Sequence, residues 1–177
     1  MEELKKSEAK TPPVSAKTSM NRRPRIIVID TEELPEERDI GEDMAVKWKK
    51  ETLLPMQIWI DESKAYTRRG HANRIAFQLD TSERLDSDYV GWMDFDGNIE
   101  PISQTVGELD EDELGQLRNF VRNNRSALEQ LADTNIWLYQ IWPDVIKGGN
   151  PASEEEIKAL DDKVAALVEA NRREWNE

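Results

Sequence analysis

Carboxylates are the residues in this sequence best suited to catalysis or metal binding. Asp30 ends the apolar run at 25–30, and a carboxylate at the end of a strand can hold a metal ion, attack a substrate or act as a base. Asp94 and Asp96 occupy alternate positions, as ligands do at the start of a calcium-binding loop. These residues define one alternative function, a carboxylate-based, metal-dependent enzyme.

The calcium pattern is incomplete, which weakens that alternative. A full loop of the EF-hand type has glycine at its sixth position and glutamate at its twelfth, where this sequence has Ile99 and Thr105. The Asp-Gly-Asn sequence at 96–98 is instead typical of a hairpin turn. Asp30 has no motif partner in its acidic surroundings. We therefore predict no metal site.

Other catalytic groups are scarce. The sequence has no cysteine, which excludes a thiol nucleophile, a disulfide framework and a cysteine-ligated metal. Its single histidine, His71, cannot form a histidine cluster, and no G-x-S-x-G element provides a nucleophile for it. No glycine motif of the nucleotide-binding kind occurs. We therefore predict that the protein is not an enzyme and that it carries no cofactor.

A basic cluster stands out in a chain whose formal net charge is -13. It surrounds Gly70 and His71 between two predicted strands, and consists of Lys64, Arg68, Arg69 and Arg74. Trp59 and Trp92 fall opposite the aliphatic residues of their segments, so both are expected on the outer face of the sheet. Arginine beside aromatic rings suits single-stranded nucleic acid or RNA, because charges pair with phosphates and rings stack on bases. Nucleic-acid binding is thus a second alternative function. The structural alternative is that the basic cluster is only the solvated tip of a hairpin, with no binding role.

The last predicted helix carries a heptad-like apolar seam. Its members are spaced 3, 4, 3 and 4 residues apart, and they are Ile157, Leu160, Val164, Leu167 and Asn171. This spacing is that of a coiled coil, in which a buried Asn sets register and partner number. The seam is short, however. It predicts either packing of the helix on its own domain or a homo-oligomer formed through the helix.

Strands are predicted in the first part of the chain, where apolar residues alternate. Residues 1–24 contain few bulky side chains and are expected to form a disordered tail. A β-branched run at 25–30 is expected to be a strand, and an acidic loop follows at 30–43. Segments 56–61, 74–80 and 89–95 have a period of two, which predicts an antiparallel meander. Segment 44–54 fits either a helical turn or a further strand.

The second part of the chain has the period of a helix. Asp110 and Glu113 form a capping-box signature, and an apolar stripe follows. Its members are Leu114, Leu117, Phe120, Val121, Leu128 and Leu131. The very apolar stretch 134–147 is interpreted as core in preference to an exposed patch. Ser153 and Glu156 indicate the start of a final helix.

These patterns predict an α+β fold, in which a small antiparallel meander of three to four strands is packed by a long helix. The expected organisation is a tail at 1–24, a domain at 25–150 and a C-terminal helix at 151–177. Because the chain is acidic and lacks a signal segment or an apolar span, a cytoplasmic protein without membrane contact is expected. The expected function is a non-enzymatic, regulatory contact with a protein partner, since an acidic chain repels polyanions.

Overall fold

The computed structural model describes residues 44–61, 74–86, 89–99, 108–134 and 136–174. The predicted tail at 1–24, the predicted strand at 25–30 and the acidic loop at 30–43 lie outside these ranges. So do His71 and three members of the basic cluster, which are Lys64, Arg68 and Arg69.

Four strands form one antiparallel sheet in the order β1-β2-β3-β4. Their bounds are Met44–Lys47, Ile58–Asp61, Arg74–Gln78 and Val90–Asp94. Each strand pairs with the next along the chain, which confirms the predicted meander. The ambiguous segment 44–54 contains both elements that its sequence suggested, because β1 is followed by the short helix α1, Lys49–Thr52.

The remaining helices follow the sheet in sequence, so the predicted α+β class is confirmed. They are α2, Glu111–Asn123; α3, Arg125–Asp133; α4, Leu138–Ile141; and α5, Glu154–Glu174, with a 3-10 turn at Trp142–Asp144. No helix within the described ranges is long and apolar enough to cross a bilayer.

The main core lies between the sheet and the helices. One face of the sheet supplies Ile58, Ile75, Phe77 and Met93, all fully buried. The apolar stripe of α2 and α3 joins the same cluster, as the period of their sequence predicts. Fully burying a side chain of this size contributes roughly 1.5–3 kcal/mol, so this cluster is the main source of stability that holds the sheet in place.

The predicted single helix from Asp110 is divided into α2 and α3. Its start is as expected, because Asp110 and Glu113 exchange hydrogen bonds of 2.8 Å between side chain and backbone. The division falls at Asn124, whose φ of -114° and ψ of 15° are not helical. Asn124 is buried, and its side-chain amide bonds to backbone groups outside the helix. Tertiary hydrogen bonds thus outweigh local helix periodicity at this residue.

The apolar stretch 134–147 is divided between the core and the surface. Ile136, Leu138 and Ile141 are buried in the main core. Tyr139 is 71% exposed and stacks on half-buried Trp137, with 6.5 Å between ring centroids. The interpretation of this stretch as core is therefore correct for the three aliphatic residues and wrong for Tyr139, because α4 is a surface helix with only one buried face.

Candidate functional site

The face of the sheet opposite the helices carries a second apolar cluster, which we call the outer sheet face. Its buried members are Trp59, Ala76, Val90 and Trp92, with Met44 and Val46 partly buried beside them. Side chains alternate between the two faces of a strand, so the positions next to the core residues are the ones that build this cluster. Every member comes from a strand.

A single row of paired residues crosses the middle of this face. Val46 pairs with Trp59, Trp59 with Ala76, and Ala76 with Trp92. Ala76 is small, which leaves room for an indole on each side of it. The two rings are nevertheless buried, with Trp59 6% and Trp92 5% exposed. The structure thus places both tryptophans on one face, and it shows that neither presents a free ring to solvent.

Arg74, the fourth member of the basic cluster, lies at the edge of the same face. Its guanidinium carbon is 4.2 Å from the centroid of the Trp92 ring, a cation–π contact. Of the six residues proposed for nucleic-acid binding, the structure therefore brings together Arg74, Trp59 and Trp92. Base stacking requires an accessible ring face, and here the Trp92 ring already contacts Arg74.

Two glutamines, Gln57 and Gln78, extend the outer sheet face beyond the tryptophan row. They are neighbours across β2 and β3, where the Gln78 N–H donates to the Gln57 carbonyl at 3.0 Å. Both are fully buried. Neither side-chain Oε1 has a hydrogen-bond donor among the residues that the structure describes. A buried acceptor without a donor costs roughly 1–3 kcal/mol, so this pair is the most unusual polar feature of the face.

The amide nitrogens of both glutamines hold the loop that follows β3. The Gln57 Nε2 donates to the Ser82 carbonyl at 3.0 Å, and the Gln78 Nε2 donates to the Arg84 carbonyl at 2.8 Å. Lys49 of α1 also pairs with Glu83 of this loop at 2.9 Å. The loop therefore lies over the glutamine end of the outer sheet face.

Asp80 begins this loop, and its ionisation is tied to the same hydrogen bonds. Burial by itself would raise the pKa of Asp80, but hydrogen bonds from Gln78 and from the backbone and side chain of Ser82 outweigh it and lower the pKa. A charged Asp80 thus helps to orient the Gln78 amide nitrogen towards the loop and its Oε1 away from it.

The candidate catalytic carboxylates have structural roles within the described ranges. The Asp94 carboxylate accepts hydrogen bonds from the Asn98 backbone at 2.7 Å and from its side chain at 2.9 Å. Asp96 pairs with Arg125 of α3. Asp30 lies outside the described residues. In the part of the chain that the structure covers, no three His, Cys, Asp or Glu residues are grouped as metal ligands would be.

The seam of α5 faces the protein's own domain. Leu160 and Val164 are buried in the main core, and α5 contacts α3. Ile157, Leu167 and Asn171 of the same seam are half-buried. An oligomer formed through this seam would therefore compete with packing that already exists inside one chain.

No protein-family model, no curated protein and no solved structure matches this chain significantly.

Sequence reasoning missed the glutamine pair. Only their positions in the sequence could have indicated it. Gln57 lies two residues before Trp59 and Gln78 two residues after Ala76, so each pair shares one face of its strand. This spacing predicts a shared face but does not predict burial or an unmet acceptor.

Proposed function

We propose that the protein acts by contact with a protein partner, and that the outer sheet face is where the partner binds. The observation that supports this proposal is the pair of buried acceptors, Gln57 Oε1 and Gln78 Oε1, beside an apolar row. Buried polar atoms nearly always have a hydrogen-bond partner. A partner segment with N–H groups would donate the hydrogen bonds that the Gln57 and Gln78 side-chain oxygens lack.

The chemistry of the face defines the partner. Trp59 and Trp92 are 6% and 5% exposed, so a partner reaches these rings only when the face opens, and large aromatic residues of this kind then dominate contact energies between proteins. The two amide oxygens suit N–H donors. An extended, apolar peptide segment with a free backbone N–H or an amide, Lys or Arg side chain combines both properties. A polyanion is disfavoured, because the chain has 37 acidic residues against 24 Lys and Arg. A cytoplasmic, regulatory role is part of the same proposal.

Photo-crosslinking tests the proposal in an extract of the native cells. A photoreactive amino acid replaces Val46, which is half-buried at the edge of the face, or Lys158, which is exposed on α5. Irradiation is followed by mass spectrometry of the adducts. We expect a defined protein adduct from position 46 that is missing from position 158. An adduct consisting mainly of RNA or DNA would contradict the proposal and favour the nucleic-acid alternative.

A pair of glutamine variants makes the test specific for the face. Gln57→Met keeps the volume and removes the unmet acceptor, so the fold should persist while the adduct decreases about tenfold, the equivalent of 1.4 kcal/mol. Gln130→Met is the control, because Gln130 is half-buried on α3 and does not belong to the outer sheet face. If Gln57→Met forms as much adduct as the unaltered protein, the outer sheet face is not the binding surface.

A further inference from the structure

The loop that follows β3 bonds to the glutamine pair through its backbone. The Gln57 side chain donates to the Ser82 carbonyl at 3.0 Å, and the Gln78 side chain donates to the Arg84 carbonyl, two residues further along, at 2.8 Å. We infer that the loop at 80–86 is an internal substitute for the backbone of an extended partner segment, and that it opens when the partner binds. This inference rests on the proposed function and defines its partner more closely.

An extended segment presents its backbone with the spacing that the two glutamines need. Residues i and i+2 of a strand direct their N–H and C=O groups to the same side and lie about 6.6 Å apart. Gln57 and Gln78 are neighbours across β2 and β3, and residues opposite one another in this way lie about 4.5–5.5 Å apart. Flexible glutamine side chains span the small difference. Each primary amide can therefore pair with one N–H and one C=O of the partner.

The loop fulfils only half of this role. It accepts hydrogen bonds from the Nε2 atoms of Gln57 and Gln78, but their Oε1 atoms have no donor among the described residues. The loop bends at 83–84, and the Ser82 N–H donates to Asp80 Oδ1 instead. A buried acceptor without a donor is costly. A partner that keeps both carbonyl contacts and adds N–H donors is therefore favoured over the loop.

The loop can open while the sheet stays folded. Residues 81–86 are exposed, so they bury little apolar surface, whereas β2 to β4 are anchored in the main core. Segments with few buried apolar contacts open locally. Lys49 of α1 stabilises the closed loop, because its Nζ donates to the Thr81 carbonyl at 2.6 Å and pairs with Glu83 at 2.9 Å. Removing Lys49 should therefore favour the open loop.

Exchange of the glutamine side-chain N–H groups with water measures this opening in the full chain. Their NMR signals are assigned by their loss in Gln57→Met and Gln78→Met. Lys49→Met removes an ion pair and a hydrogen bond, so the exchange should accelerate about threefold to tenfold. The Gln78 backbone N–H, which bonds to the Gln57 carbonyl, should keep its protection. Lys50→Met is the matched control, because Lys50 is the exposed neighbour on α1, and it should have no effect.

A second variant keeps the test decisive if Lys49→Met folds poorly. Glu83→Gln changes a side chain that is 81% exposed and removes only the ion pair with Lys49. An exposed ion pair contributes little, so the exchange should accelerate by a smaller factor, about twofold. Glu174→Gln, exposed at the end of α5, is the control for the loss of one negative charge.

N-methylacetamide tests the chemistry of the partner, because it is a single peptide group with one N–H and one C=O. It should shift the side-chain N–H signals of Gln57 and Gln78 more in Lys49→Met than in the unaltered protein, where the loop occupies the carbonyl positions. N,N-dimethylacetamide has the C=O but no N–H. It should cause smaller shifts, because it offers nothing to the two Oε1 atoms.

Two results would overturn the inference. The first is equal protection of the glutamine side chains and the Gln78 backbone N–H in all variants, which would show that the loop opens only with the sheet. The second is equal shifts from the two amides, which would show that the site does not select an N–H donor. Neither measurement needs the native partner. A missing adduct from position 46 contradicts only the proposed function, so the two can fail separately.

Discussion

The side chain of Asn124 bonds to both backbone groups of Ile146. Its Nδ2 donates to the Ile146 carbonyl at 2.8 Å, and its Oδ1 accepts from the Ile146 N–H at 2.8 Å. The same Nδ2 bonds to the Phe120 carbonyl, also at 2.8 Å. One buried amide thus joins the end of α2 to the segment before α5 and separates α2 from α3.

Replacing this amide should destabilise the domain strongly. Asn124→Leu keeps a similar volume but leaves the two Ile146 backbone groups without their partner, and each such group costs roughly 1–3 kcal/mol. We expect a loss of about 2–4 kcal/mol in the free energy of unfolding by urea. Asn119→Leu, which removes one bond to the Gly149 carbonyl, should cost only about 1 kcal/mol. Equal losses in the two variants would show that Asn124 has no special role.

Two glycines give opposite predictions for the same substitution. A Cβ on Gly149 would lie 2.2 Å from the Gln116 Cβ and 2.4 Å from its Cα, whereas a Cβ on Gly115 meets nothing within 4 Å. Gly149→Ala should therefore cost about 1–3 kcal/mol by forcing the loop away from α2. Gly115→Ala lies inside α2 and should stabilise it by about 0.5–1 kcal/mol. Thermal unfolding of both variants measures the difference, and a stabilising Gly149→Ala would rule out this close packing.

Leu53 has a backbone conformation that favours glycine. Its φ is 59° and its side chain is 64% exposed at the end of α1. A left-handed residue with a side chain costs roughly 1–2 kcal/mol, and little burial is lost on its removal. Leu53→Gly should thus raise the unfolding free energy by up to about 1 kcal/mol after the entropy cost of glycine. Leu54→Gly, at a buried position, should be strongly destabilising. A destabilising Leu53→Gly would mean that the exposed side chain has contacts worth more than the strain.

Acid should weaken the turn between β4 and Ile99. Burial alone would raise the pKa of Asp94, but hydrogen bonds from the Asn98 side chain and from backbone N–H groups of the turn lower it. Because the folded pKa lies below the unfolded one, the stabilisation is complete above the unfolded value, about 3.9, and is lost as the pH falls through the folded pKa.

Urea titrations between about pH 2 and 7 measure this effect, since they bracket the carboxyl range. Asp94→Asn should be less stable at neutral pH, and its unfolding free energy should fall less on acidification than that of the unaltered protein. Glu174→Gln, exposed at the end of α5, serves as the control and should follow the unaltered protein. Parallel curves for Asp94→Asn and the unaltered protein would show that Asp94 does not contribute.

Sequence reasoning reached the elements whose signals are local. The alternation in β2, β3 and β4, and the capping pair of Asp110 and Glu113, depend on residues within a few positions of one another. The same alternation predicted correctly that Trp59 and Trp92 lie on one face. It could not predict the break at Asn124, because the partner of that side chain is 22 residues away.

For the candidate site, the sequence by itself determined which residues share a face, since strand geometry places every second side chain on the same side. Only the tertiary structure decided that Trp59 and Trp92 are buried, that Arg74 lies over the Trp92 ring, and that two glutamine oxygens are left without described donors. The physical reason is that periodicity fixes the direction of a side chain, whereas burial and hydrogen bonding depend on which other groups pack against it in the folded chain.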